Sequence, residues 1–215
     1  MTTTVLLIVT VVIAAADWVA VARKQHRVEL VAKPLTLIVL IAATGFADTG
    51  HAKPWLMAGL VLGLLGDVFL MFSDESARSA DSAFLAGLGS FLLGHLAYLV
   101  AFTRHGLHGW QMLAGALVVG GVSALTVPHV LQGARAHGGT PLAAAVGGYA
   151  AALGAMTILG FGTAAVATAV GALLFLLSDT TIARQRFVSP MLRGPLIIIV
   201  TYHLGQILIV AGLIR

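Results

Sequence analysis

The chain has 215 residues and no cysteine, and only 9% of it is Asp, Glu, Lys or Arg. The first absence excludes disulfides and thiolate metal sites. The second excludes an ordinary soluble domain, in which about 25% of residues are charged. Motifs of soluble enzymes are missing as well: there is no P-loop, no Gly-x-Ser-x-Gly and no His-Glu-x-x-His. Basic residues do not cluster with aromatics, so the pI near 10.0 does not indicate a nucleic-acid partner. The first apolar run has no basic residue ahead of it and holds Asp17 and Trp18, so it reads as a span and not as a cleaved signal.

What is present is hydrophobic sequence, 59% of the chain. A membrane-crossing helix needs about 20 mostly apolar residues. Eight segments qualify: roughly Thr4–Ala22, Pro34–Ala47 (starting nearer Val28, with Pro34 inside as a kink), Trp55–Phe72, Ala83–Thr103, Trp110–Val130, Thr140–Ile158, Phe161–Ser178 after a break at Leu159-Gly160, and Gly194–Ile214. None shows barrel-type alternation, and lipid leaves helices as the remaining way to satisfy the backbone. The expected fold is an all-α polytopic membrane bundle of eight transmembrane helices, forming a single membrane domain over residues 1–215. Arg23, Lys24, Arg27, Lys33, Arg78, Arg135, Arg184, Arg186 and Arg193 fall in odd-numbered loops; Lys53, Arg104 and Arg215 fall in even loops or tails. That asymmetry predicts odd loops in the cytoplasm and both termini outside. Trp18, Trp55 and Trp110 fall near span ends, where interfacial Trp belongs. Ala/Val/Gly-rich usage with Arg above Lys suggests a high-GC bacterium and hence its inner (cell) membrane.

The two halves of the chain echo each other. Lys33-Pro34, Asp67 and His95 are followed by Thr140-Pro141, Asp179 and His203, at offsets of 107, 112 and 108 residues. This predicts two four-helix repeats, 1–105 and 106–215, that bring an Asp and a His from each half toward a common axis. Internal repeats with a site at their interface are a recurrent membrane-protein plan. Ionisable groups within a membrane are rarely idle, which makes Asp67 and Asp179 the candidate catalytic pair. Two carboxylates near one apolar pocket divide the roles of acid and base; which takes which role stays open at this point. Both are expected at the cytoplasmic ends of their helices. His95 and Tyr98 share a helical face, as do Tyr202 and Gln206, with His203 beside them. These polar groups must face the bundle interior, where they could line a polar cavity, or simply bond helix to helix. Lys33, close to Glu29, could hold a lipid phosphate or snorkel to the interface. Gly59 with Gly63, and Gly87, Phe91, Gly94 and Tyr98, form faces for close helix contact. Asp74, Glu75, Arg78 and Asp81 read as a solvated loop.

Gly66-Asp67-x-x-Leu70-Met71, Gly94-His95-x-x-Tyr98, Ser178-Asp179, Tyr202-His203-x-x-Gln206 and Lys33-Pro34 together resemble the YhhN-type lysoplasmalogenase family over essentially the whole chain. The resemblance implies an eight-span membrane hydrolase that cleaves the vinyl ether bond of a lysophospholipid to a fatty aldehyde and a glycerophospho-base, with no metal or organic cofactor. Asp67 and Asp179 would be catalytic. Lys33 would meet the phosphate, and His95, Tyr98, Tyr202, His203 and Gln206 would orient water or the glycerol backbone. The competing readings are a small-molecule or lipid transporter, a zinc-dependent lipid hydrolase of ceramidase type, and a structural or lipid-sensing membrane protein.

Overall fold

The computed structural model describes residues 1–73 and 82–215, and the regular structure within them is entirely helical. Seven long helices follow in order: α1 (Thr2–Ala22), α2 (His26–Phe46), α3 (Lys53–Met71), α4 (Ser82–His105), α5 (Gly109–Gly162), α6 (Val166–Phe187) and α7 (Gly194–Leu213), with a single 3₁₀ turn at Gly50–Ala52 before α3. All seven are long and apolar enough to cross a membrane. Threonines inside them turn their hydroxyls back onto the helix, as Thr10 does to the Leu6 carbonyl, Thr36 to Ala32 and Thr44 to Leu40, at 2.8–2.9 Å. Such back-bonding removes a polar cost without a neighbouring helix.

Helix α5 cannot be one straight rod. Its 54 residues would span about 80 Å, far more than the roughly 30 Å of a bilayer core. The helical backbone breaks at Gly138 (φ −146°, ψ 20°) and Gly139 (φ 68°, ψ −165°), the latter in a region open essentially only to glycine. Beyond the break the chain folds back: Gly147 lies against Leu131, Gly154 against Val119, and Gly115 against Phe161. The hairpin is closed at its foot by the His108 N–H, which donates to the Gly162 carbonyl at 2.8 Å. The two apolar segments expected at Trp110–Val130 and Thr140–Ile158 are therefore the legs of α5.

Pro34 lies inside α2, as expected. The break expected at Leu159-Gly160 lies instead at residues 163–165, where Ala164 has φ 58°; Gly160 continues the helix because α6 packs onto it, its Cα facing Ala172. Helix α6 correspondingly runs on to Phe187, so Asp179 occupies the helix interior and not its end. The extension is anchored by Phe187, which packs with Phe84, Val130, Ala134, Leu142 and Val146 in a small apolar cluster of its own. Asp67 does stand one turn before the end of α3. The loop bearing Asp74, Glu75, Arg78 and Asp81 lies outside the described residues.

Helices pair tightly where side chains are small. The Phe91 ring of α4 fills the space over Gly66 of α3, and the Tyr98 ring that over Gly59. Gly171 of α6 and Gly205 of α7 bring the two backbones together, each facing the other's carbonyl oxygen. Hydroxyls staple the same pairs: Ser90 donates to the Leu62 carbonyl at 2.7 Å and Ser178 to that of Ile198 at 3.2 Å. Helix α7 also returns to α1, so the last helix closes on the first.

Candidate active site

The close helix pairs set the two aspartates in the interior. Asp67 on α3 is 2% exposed and Asp179 on α6 is 8% exposed. A carboxylate taken out of water must find partners, or its burial costs several kcal/mol. Asp67 finds two: the Lys33 ammonium of α2 lies 3.4 Å from Oδ1, and the Tyr202 hydroxyl of α7 donates to Oδ2 at 2.8 Å. Asp179 accepts the hydroxyl of Tyr149, from the second leg of α5, at Oδ2. His95 Nε2 of α4 stands 3.7 Å from the same oxygen.

A layer of packed rings links the two clusters. Phe175 packs edge-on against Tyr202 (5.4 Å between centroids) and against His95 (5.1 Å), and His95 against Tyr149 (5.1 Å). Phe91 meets Tyr202 at 5.9 Å. Edge-to-face packing at these separations holds ring orientation as well as area, so it fixes where the two tyrosine hydroxyls point. Deeper in, Tyr98 donates to Gln206 Oε1. Neither nitrogen of His95, nor Nε2 of Gln206, makes a hydrogen bond among the described residues. Buried polar atoms rarely stay unbonded, so these face positions suited to water or a polar ligand group.

An apolar groove leads to this site. It runs between α4, both legs of α5 and α6, has a cavity volume of about 80 Å³, and is walled by residues such as Phe84, Phe91, Val127, Leu131, Val146 and Leu153. Asp179 is the one charged residue among the described residues that line it, with Tyr149 beside it. Phe91 of the groove wall packs on Tyr202, which donates to Asp67. An apolar groove with a carboxylate in its wall suits a ligand with an alkyl tail and a reactive polar junction.

Comparisons with known proteins identify the family. The YhhN family model matches residues 28–213. The chain belongs to the YhhN family. Its relatives include the lysoplasmalogenase TMEM86B of Sus scrofa, 33% identical over 175 residues that cover 81% of this chain and 69% of that protein. The lysoplasmalogenase TMEM86A of Bos taurus is 32% identical over 188 residues, covering 81% and 71%, and its Homo sapiens counterpart 30% identical over 185 residues with the same coverage. No solved structure matches the chain. The chain is thus an integral membrane protein of this family, and the match takes in both aspartates and all six further polar residues singled out in the sequence.

The structure divides those residues into groups. Lys33, Asp67 and Tyr202 form one cluster, and Tyr98 of α4 pairs with Gln206, which lies on α7 as Tyr202 does. Asp179 and His95 form the other. His203 faces neither aspartate of the pair but Asp17 of α1, 3.9 Å away. Two participants escaped the sequence reading. Tyr149 sits in the Gly147-Gly148-Tyr149 stretch of a long small-residue segment; a lone tyrosine within an apolar run was its only signal. Asp17 was visible as a charge within the first span. Among the described residues no three His, Cys, Asp or Glu side chains converge as a metal site would require.

Tyr149→Phe isolates the hydroxyl. It removes one charge-assisted hydrogen bond from Asp179 while keeping the ring that packs on His95. Turnover is expected to fall about 10- to 100-fold, on the scale of a lost charge-assisted bond, with a melting temperature near that of the parent protein; an unchanged kcat would remove Tyr149 from the site.

Proposed function

We propose that the protein hydrolyses the vinyl ether bond of lysoplasmalogens, the activity for which its relatives are named. The observation that carries the reading is Asp179 as the one charge among the described residues that line an apolar groove, with a second buried carboxylate, Asp67, joined to it through Tyr202, Phe175 and His95. Vinyl ether hydrolysis starts with a proton delivered to the β-carbon of the double bond. The π electrons take that proton, and an oxocarbenium ion results. Water adds to its carbon and loses a proton, and the hemiacetal collapses to a fatty aldehyde and the glycerophospho-alcohol. One water is consumed and no net proton. The demands match those of glycoside hydrolysis, where one carboxyl group donates and another steadies positive charge and activates water.

The groove supports a division of labour. Asp179 faces the alkenyl chain and acts as acid. Asp67, held by Lys33 and Tyr202, steadies the cation and takes the proton from water. His95 and Gln206, with ring and amide nitrogens free to bond, orient that water and the glycerol hydroxyls. Tyr98 fixes Gln206, His203 supports the Asp67 cluster from behind, and Lys33 attracts the phosphate at the head of the substrate.

The same reading takes the α5 legs as separate crossings, giving eight spans in one membrane domain of two repeats, 1–105 and 106–215. Its support is that Tyr98 and Gln206, equivalent positions of the halves at an offset of 108, hydrogen-bond each other as residues at a shared axis would. The Arg215 N–H donates to the Asp48 carbonyl at 2.9 Å, which groups the C-terminus with the loop before α3. With both termini outside, the aspartates lie toward the cytoplasmic side of a bacterial inner membrane.

The deciding experiment gives purified protein in detergent an alkenyl lysophospholipid and measures aldehyde. Release that survives a chelator is expected. Release abolished by chelation would replace the carboxylate scheme with a metal hydrolase. Uptake into vesicles without aldehyde would make the protein a transporter.

A further inference from the structure

The proposed reaction creates a positive charge inside an apolar groove. Asp179 gives its proton to the β-carbon, and the π electrons of the double bond form the new C–H bond. The α-carbon and the ether oxygen then share the charge until water adds. A cation out of water is costly unless something meets it. Asp67 meets it with opposite charge. An aromatic face offers a second kind of partner, because its π cloud attracts a cation far more than a neutral chain.

Of the described residues that line the groove, four are aromatic: Phe84, Phe91, Tyr149 and Phe187. Phe84 and Phe187 pack edge to face at 6.4 Å in the small apolar cluster, and the Arg186 guanidinium sits 4.5 Å from the centre of the Phe84 ring. Phe187 stands about 12 Å further along α6 than Asp179, so this end of the groove is away from the chemistry. Tyr149 gives its hydroxyl to Asp179, and its ring packs edge-on against His95. Phe91 is placed differently. It stands one turn from His95 on the same face of α4, and His95 Nε2 lies 3.7 Å from the Asp179 carboxylate. On its other side it meets Tyr202, which donates to Asp67. Phe91 is therefore the groove-lining ring that neighbours both carboxylate clusters.

Gly66, just before Asp67, makes this placement possible. A β-carbon there would stand 2.6–2.9 Å from Cδ2, Cε2 and Cζ of Phe91, so a larger residue pushes the ring off its seat. The glycine of the Gly66-Asp67 motif thus seats the ring beside the carboxylate that follows it. The cavity is only about 80 Å³, which keeps a bound chain against the walls. We propose that Phe91 is a catalytic residue whose π face stabilises the oxocarbenium ion formed in the groove. This rests on the vinyl ether reading. The contact is strong only once the proton has been transferred, so it lowers the barrier and does not tighten substrate binding.

The test is single-turnover aldehyde release with Phe91 replaced in turn by mono-, di- and trifluorophenylalanine. Fluorine withdraws electron density from the ring face and leaves the shape nearly unchanged. The rate is expected to fall stepwise with each fluorine, to a total of about 10- to 30-fold, the scale of a desolvated cation–π contact. The steady-state KM and the melting temperature are expected to stay parental. Phe91→Leu keeps an apolar side chain without a π face and is expected to lose as much rate. The same fluorinated residues at Phe161, which packs on Gly115 within the α5 hairpin, are expected to leave the rate unchanged. A flat fluorine series from an active parent, or a parental rate in Phe91→Leu, would overturn the role of Phe91 alone. So would a fall that tracks the melting temperature or is equalled at Phe161, since packing would then account for it. No aldehyde from the parent protein would remove the vinyl ether reading, and this proposal with it.

Discussion

Asp179→Asn is expected to lower aldehyde release by at least about 10³-fold, within the range for removing a proton-transferring group, without unfolding the protein. Asn keeps an oxygen that can accept the Tyr149 hydroxyl, and its volume is that of Asp, so the groove and the ring layer stay as they are. What is lost is the proton. Asp67→Asn is expected to lose activity to the same degree but to melt earlier. The Lys33 ammonium, 16% exposed at its side chain, loses the partner 3.4 Å away, and an ammonium left unpaired in a poorly solvated site costs a few kcal/mol. Adding Lys33→Met to Asp67→Asn should restore the melting temperature and not the activity. Thermal melts in detergent, read beside the aldehyde assay, check both. A fully active Asp67→Asn or Asp179→Asn variant would end the two-carboxylate mechanism.

Gly171→Val is expected to abolish folded protein. A β-carbon there would stand 2.8 Å from the Gly205 carbonyl oxygen and 2.8 Å from the Ile209 nitrogen. Both obstacles are backbone, so no rotamer change relieves them. Ordinary overpacking costs about 1–3 kcal/mol; here α6 and α7 must move apart along their length. Gly120→Ala is the control: no atom lies within 4 Å of a β-carbon at that position, and Ala favours the helix by up to about 1 kcal/mol. Yield of monodisperse protein should fall to background for Gly171→Val and stay at or above the parental level for Gly120→Ala. A folded, active Gly171→Val protein would show that the α6–α7 crossing is looser than the structure has it.

The difference between those two glycines is one that sequence cannot see. Both lie in long apolar runs, and which of them touches another backbone depends on how helices distant in the chain rotate against each other. The same holds for the ends of α6. Hydropathy falls after Ser178, which predicts the end of a span there, yet the helix runs on because Phe187 has an apolar cluster to enter. Asp179 then lies inside the helix, facing a groove, and is not a cap at the interface. Tyr149 was passed over for a related reason: a tyrosine in an apolar segment has no periodic signal, and only the fold of α5 back upon itself brings its hydroxyl to Asp179.

Composition alone decided that this chain belongs in lipid, because so few charges cannot solvate a soluble surface. The motifs decided the family and drew attention to Asp67, Asp179 and their polar neighbours, because an ionisable group is kept in an apolar run only where something uses it. Pairing was left to tertiary structure. That Tyr202 and Lys33 serve Asp67, that His95 and Tyr149 serve Asp179, and that His203 turns away to Asp17 are choices among helices far apart in sequence. A side chain's position on its own helix is fixed by local periodicity, but its partner is fixed by the rotation and depth of the helix opposite, and glycines such as Gly171 and Gly205 set those by letting two backbones meet.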